Sequence, residues 1–114
     1  MTPPDGAFWL ARLDGRDVGC AGVRTLSHLA PATVELKRLY VDPAARGHRL
    51  GRRLVETAQA WALERGAARM VLDTRSELTT ACALYRELGY AEVAPYNDDP
   101  KPDLWFAKTL EPRP

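Results

Sequence analysis

Apolar and polar positions along the 114-residue chain change period several times, and each change predicts an element. Phe8 to Leu13 is a short apolar run closed by Asp14-Gly15. Both residues of that pair tolerate positive φ, so the run predicts a strand entering a two-residue hairpin. Asp17 to Thr25 is the return strand, and Gly19 and Gly22 within it weaken it and point to a bulge. After a loop from Ser27 to Ala32, Thr33 to Val41 forms a third strand. It stops at Asp42-Pro43, because proline has no N–H to give the ladder. From about Leu50 the period turns helical: Leu50, Leu54, Ala58, Trp61 and Ala62 lie on one stripe, and Gly66 is placed to end it. Arg69 to Asp73 is a short apolar strand. Thr79 or Thr80 can cap a second helix, whose inner face is Ala81, Leu84, Tyr85 and Leu88 and whose stop is Gly89. Ala91 to Ala94 and Leu104 to Leu110 are closing strands around a loop rich in Pro, Asp and Asn from Pro95 to Asp103. The predicted order is β-β-β-α-β-α-β-β, an α/β arrangement of the α+β type with a right-handed β-α-β unit at its centre.

Composition adds limits. The 46% hydrophobic and 27% charged content is that of an ordinary globular protein, and the length suits one domain over residues 1–114. With no repeat or linker, no domain boundary is expected. A net charge of +1 gives no overall field drawing the chain to nucleic acid or membrane. No apolar run approaches the roughly 20 residues that span a bilayer. The start Met1-Thr2-Pro3-Pro4-Asp5 lacks the basic and apolar segments of a signal peptide, so a cytoplasmic protein is expected. Cys20 and Cys82 lie far apart, and with His28 and His48 they make no metal set; two small buried thiols are expected, and no metal.

The chemistry signal is the junction of the third strand and the first helix. Four arginines, Arg46, Arg49, Arg52 and Arg53, fall within eight residues there. Gly47 and Gly51 let the backbone approach a ligand, and the helix start presents unpaired N–H groups and the positive end of its dipole. That combination binds phosphates, and arginine adds paired hydrogen bonds. The bland alternative is a surface turn with solvated arginines.

Glu35-Leu36-Lys37-Arg38-Leu39-Tyr40-Val41-Asp42-Pro43, followed by Arg46-Gly47-His48-Arg49-Leu50-Gly51, resembles the acetyl-CoA-binding core of GNAT acetyltransferases. Ala81-Cys82-Ala83-Leu84-Tyr85-Arg86-Glu87-Leu88-Gly89-Tyr90 resembles that family's second signature. The two stand in the family's order and at about its spacing, and the resemblance runs from about Phe8 to Leu110. It implies a mixed, mostly antiparallel sheet and transfer of an acetyl group from acetyl-CoA to an amine by direct attack. In the family's phosphate motif Arg46 and Gly51 match the first and last positions, while Arg49 replaces the middle glycine. Leu78, seven residues before Tyr85, replaces a residue that often contacts the cofactor arm through Asn or Gln. The family usually opens with a further strand and helices before the hairpin. This departure leads to the expectation of a homodimer or partner chain over an exposed sheet face.

The resemblance also implies roles. Pantetheine is expected along the main chain of Leu39, Tyr40 and Val41, where the sheet splays, and pyrophosphate on the turn from Arg46 through Gly47, His48, Arg49, Leu50 and Gly51 to Arg52. The main-chain N–H near Leu39 to Val41 is the expected oxyanion donor. Glu35 is the candidate base, acting directly or through water; its alternative is an exposed strand glutamate paired with Lys37 or Arg38. Tyr85 is the candidate acid for the leaving thiolate; its alternative is a core aromatic. Tyr96, Asn97, Asp98 and Asp99 lie where the family's acceptor often borders; their alternative is a solvated turn. Trp9, Trp61 and Trp105 are packing residues. Other readings are a GNAT-like module that binds CoA without transfer, a nucleic-acid-binding domain using the arginines, and a different phosphorylated ligand, for which the Walker and Gly-x-Gly-x-x-Gly patterns are missing. The acceptor is not legible from the sequence.

Overall fold

The computed structural model describes residues 6–45 and 47–111. Its elements follow the predicted order: β1 (Gly6–Leu13), β2 (Arg16–Leu26), β3 (Thr33–Val41), α1 (Leu50–Glu64), β4 (Arg69–Thr74), α2 (Thr79–Glu87), β5 (Ala91–Glu92) and β6 (Leu104–Thr109), with a 3-10 turn at Pro43–Ala45. The Asp14-Gly15 turn has φ of 52° and 77° at its two residues, as a twisted two-residue hairpin requires. β5 is shorter than expected and stops at Glu92. Neither threonine caps α2. Leu78 holds the N-cap position without a side-chain hydrogen bond, and Thr79 already lies in the helix.

The six strands form one sheet in the order β1-β2-β3-β4-β6-β5. Every neighbouring pair is antiparallel except β3 and β4, which α1 joins in parallel. Both helices pack on the same face. Val34, Leu36, Met70, Leu72 and Phe106 meet Leu54, Val55, Ala58, Cys82, Tyr85 and Leu88 in one core. Ala58 and Ala62 are fully buried, and their small side chains let α1 lie close to the sheet. Trp61 is half-buried at the end of its stripe, edge-on to Trp9 with ring centroids 6.3 Å apart. By the two-residue period of a strand, Glu35, Val71, Asp73 and Trp105 point to the opposite face.

Two irregularities shape the middle of the sheet. Cys20 pairs with Tyr40 and Gly22 with Lys37, so Ala21 faces both Arg38 and Leu39. The extra residue of this bulge sits on β3, not on the glycine-bearing β2, and it holds Arg38 at φ 54°. The Cys20 thiol donates to the Arg38 carbonyl at 3.3 Å. Gly19 has no room for a side chain, since a Cβ there would lie 2.8 Å from the Tyr40 carbonyl oxygen. The second irregularity is a fork. β3 pairs with β4 only from Thr33–Glu35 against Arg69–Val71. Beyond that, β3 stays with β2 as far as Val41, and β4 stays with β6 as far as Thr74.

Gly19→Ala is expected to destabilise the fold by about 1–3 kcal/mol, the usual range for forcing an atom into a packed site. Denaturant unfolding measures it, and an unchanged midpoint would show that the β2–β3 contact yields without cost.

Candidate active site

The fork opens a cleft of about 220 Å³. Its walls are Leu36 to Leu39 of β3, Asp73 and Thr74 of β4 with Arg75 beyond, and Leu78, Ala81 and Tyr85 at α2. Leu36 and Tyr85 belong to the helix-covered face, whereas Lys37 and Asp73 belong to the other. The cleft thus passes through the sheet where the ladder has parted.

Tyr85 is fixed by its ring, packed against Tyr90 and Phe106 with centroids 6.0 and 5.9 Å away. Burial, with a smaller contribution from Cys82, pushes its pKa up to about 12. No buried side-chain polar atom among the described residues lacks a partner. The Tyr85 hydroxyl makes no side-chain hydrogen bond there, so it faces the open cleft. Tyr85 is therefore both a core aromatic and a proton-bearing group at the cleft wall.

Past the fork, β3 runs to the turn before α1. The Asp42 carboxylate accepts from the Ala44 N–H at 2.9 Å and shapes the 3-10 turn. Arg46 lies outside the described residues. Gly47 has φ 98°, and Arg49 has φ 56° as the N-cap of α1, with no side-chain cap. Arg49 thus keeps the left-handed backbone that a glycine adopts without strain. The first helical bond runs from the Arg53 N–H to the Arg49 carbonyl at 3.0 Å. The N–H groups of Leu50, Gly51 and Arg52 have no partner among the described residues and point out of the helix end. Leu50 is buried with Val18 and Ala45, which anchors this end. Gly51 lies against α2, where a Cβ would come 3.1 Å from the Leu84 side chain. Arg52 reaches Glu87 of α2 at 3.5 Å, and His48 and Arg49 are exposed. An electropositive helix start of this kind receives anions.

Glu35 is fully buried, contrary to the exposed alternative. Its Oε1 accepts from Arg24 Nε at 2.8 Å and has Lys37 Nζ at 3.6 Å, while its Oε2 accepts from the Tyr96 hydroxyl at 2.6 Å. Arg38 takes no part in this cluster. Glu35 does not line the cleft; Asp73 does. Asn97 donates to Asp73 Oδ2 at 2.8 Å and accepts from Trp105 Nε1 at 3.1 Å, pinning the loop after β5 over this face. Tyr96 and Asn97 are therefore packed, whereas Asp98 and Asp99 are exposed. Burial, the bond to Glu35 and the charges of Glu35 and Asp73 all raise the Tyr96 pKa, against a smaller opposing effect of Arg24. Sequence reasoning missed Arg24 and Asp73. The available signal for Asp73 was a carboxylate placed late in an otherwise apolar strand.

The family model for the acetyltransferase (GNAT) family matches residues 1–90. The chain belongs to this family. An uncharacterized N-acetyltransferase of Schizosaccharomyces pombe is 36% identical over 107 residues, covering 93% of this chain and 64% of the relative. The IAA acetyltransferase of Azospirillum brasilense is 36% identical over 113 residues, covering 96% of this chain and 72% of the relative. Among solved structures, a Klebsiella pneumoniae protein assigned to the acyl-CoA N-acyltransferases superposes with a TM-score of 0.81 at 31% identity, covering 94% of this chain and 74% of that one. The PaiA N-acetyltransferase of Thermoplasma acidophilum, in complex with coenzyme A, shares the fold with a TM-score of 0.76 at 20% identity, over 92% of this chain and 61% of that one. The GNAT chain described here has, among its described residues, no helix long and apolar enough to cross a membrane.

Relieving the left-handed strain at the turn by Arg49→Gly is expected to raise stability by about 1 kcal/mol. A thermal midpoint that does not rise would show that the arginine side chain repays the strain.

Proposed function

We propose that this chain is an N-acetyltransferase that moves an acetyl group from acetyl-CoA to the amine of a small molecule. The observation that carries the reading is the fork between β3 and β4. Tyr85, whose hydroxyl has no partner among the described residues, lines it, and β3 runs on from it to a helix start whose first N–H groups have no partner there either. These features fit an anionic group with an extended arm. Acetyl-CoA, when bound, supplies an acetyl group activated as a thioester.

On this reading the N–H groups from Gly47 to Arg52 hold the pyrophosphate, helped by the Arg49 and Arg52 side chains and, as the family motif implies, by Arg46. The main chain of Leu39, Tyr40 and Val41 orients the arm, and an N–H there faces the charge that develops on the carbonyl oxygen. Tyr85 holds a proton for the departing thiolate. Its acid form persists through the working range and is lost only as pH rises towards about 12. Glu35, fully enclosed, acts through Tyr96: the Tyr96 hydroxyl takes a proton from the acceptor amine as it passes its own to Glu35 Oε2.

Binding without transfer is the second reading. It is favoured by Leu78, which lines the cleft yet has no polar group for the arm. The exposed Phe8 and Leu10 on β1, 55% and 52% accessible, support a second copy or partner chain over that face.

Arg49→Asp tests the cofactor site, because aspartate suits the left-handed backbone and reverses the charge at the helix start. Calorimetry should show acetyl-CoA binding weakened about tenfold or more, the effect of losing one charge-assisted contact. Equal affinity would remove the turn from the site. Tyr85→Phe should leave acetyl-CoA affinity intact and lower turnover on the order of a hundredfold, as loss of a general acid does. Unchanged turnover would remove the acid role.

A further inference from the structure

The cleft sorts its charged side chains by wall. Lys37 and Arg38 stand on β3, Asp73 stands on β4, and Arg75 follows just past the end of β4. Arg75 is engaged by Glu77 in a surface ion pair. Asp73 uses one of its two carboxylate oxygens: Oδ2 accepts from Asn97, while Oδ1 has no hydrogen-bond partner among the described residues. Since no buried polar atom there is left unpartnered, Oδ1 opens onto the cleft or solvent. Lys37 has its nearest carboxylate oxygen at 3.6 Å, on Glu35. Neither Lys37 nor Arg38 forms an ion pair with Asp73, so their nitrogens lie more than 4.0 Å from its carboxylate. Opposite charges on facing walls that do not meet are bridged by a molecule carrying the complementary pair.

These cations stand apart from the phosphate-binding turn. Val41 is four residue steps beyond Lys37, about 13 Å at the usual rise, and the turn lies beyond that. Tyr96, whose hydroxyl sits on Glu35, precedes Asn97, which holds Asp73. The proton acceptor of the proposed reaction is thus the sequence neighbour of the residue that holds Asp73.

We infer that the acceptor is a small amino acid with a free carboxylate, its ammonium on Asp73 Oδ1 and its carboxylate on Arg38 across the cleft. This assignment rests on the acetyl transfer proposed above. Transfer forms the N–C amide bond and breaks the C–S thioester bond. Of the two protons the ammonium gives up, one passes through Tyr96 to Glu35 and then to solvent. The other balances the proton that Tyr85 gives the departing thiolate.

The test starts with calorimetric titration of acetyl-CoA into the protein. Thiol release is then followed with each proteinogenic L-amino acid, its methyl ester and its decarboxylated amine. At least one free amino acid should be acetylated, with the matching ester and amine at least roughly tenfold poorer in kcat/KM, since each lacks one charge-assisted contact. Arg38→Gln should raise the KM for that amino acid by a similar factor and leave acetyl-CoA affinity unchanged. If acetyl-CoA binds but no free amino acid is used, or esters and amines serve equally well, this acceptor is overturned, and acetyl transfer itself stands only where an ester or amine is acetylated. An Arg38→Gln variant with the native KM would remove the carboxylate contact. Failure to bind acetyl-CoA would overturn both readings.

Discussion

The parting of β3 from β4 after the Glu35–Val71 pair is the constraint on which the rest depends. Two neighbouring strands in a regular sheet lie about 4.8 Å apart and exchange all their backbone hydrogen bonds, leaving nothing to bind with. Here each strand keeps its outer partner, β2 for β3 and β6 for β4. The sheet therefore stays rigid on both sides of the opening. The bulge at Arg38 and Leu39 follows three residues after the last β3–β4 pair, and the small residues on β2 admit the close approach. The strain of a left-handed arginine is localised where the backbone must change direction.

The closed end of the fork carries a buried charge. Removing a carboxylate from water costs several kcal/mol, so Glu35 depends on Arg24, Lys37 and Tyr96 together. Arg24 comes from β2 and Tyr96 from the loop after β5, so the cluster ties distant segments across one face. Asn97 repeats the arrangement one residue along, joining Asp73 to Trp105. The loop after β5 is thereby held on the sheet, and this face is organised by polar contacts while the helix-covered face is organised by packing.

At the other end of the opening, α1 begins without a side-chain cap. A cap would satisfy one of the free N–H groups, which are the donors an anion needs. Leu50, buried with Val18 and Ala45, fixes the helix start through apolar contact and leaves those donors open.

The local pattern of the sequence determined the element order, the hairpin at Asp14-Gly15, the stop at Asp42-Pro43 and the stripe of α1, because turn chemistry and side-chain period are properties of neighbouring residues. The two family signatures, read together, pointed to the family and to Tyr85. Element ends were less legible. Neither Thr79 nor Thr80 caps α2, and β5 stops at Glu92, since caps and edge pairing depend on what lies alongside. Only the tertiary structure decided the surroundings of Glu35: alternation along β3 leaves its face open to water or to burial, and the choice is made by Arg24, 11 residues away, and Tyr96, 61 residues away. The same holds for Asp73, whose place on the cleft depends on where β3 and β4 part. That point is set by strand pairings across the chain, contacts that no local pattern encodes.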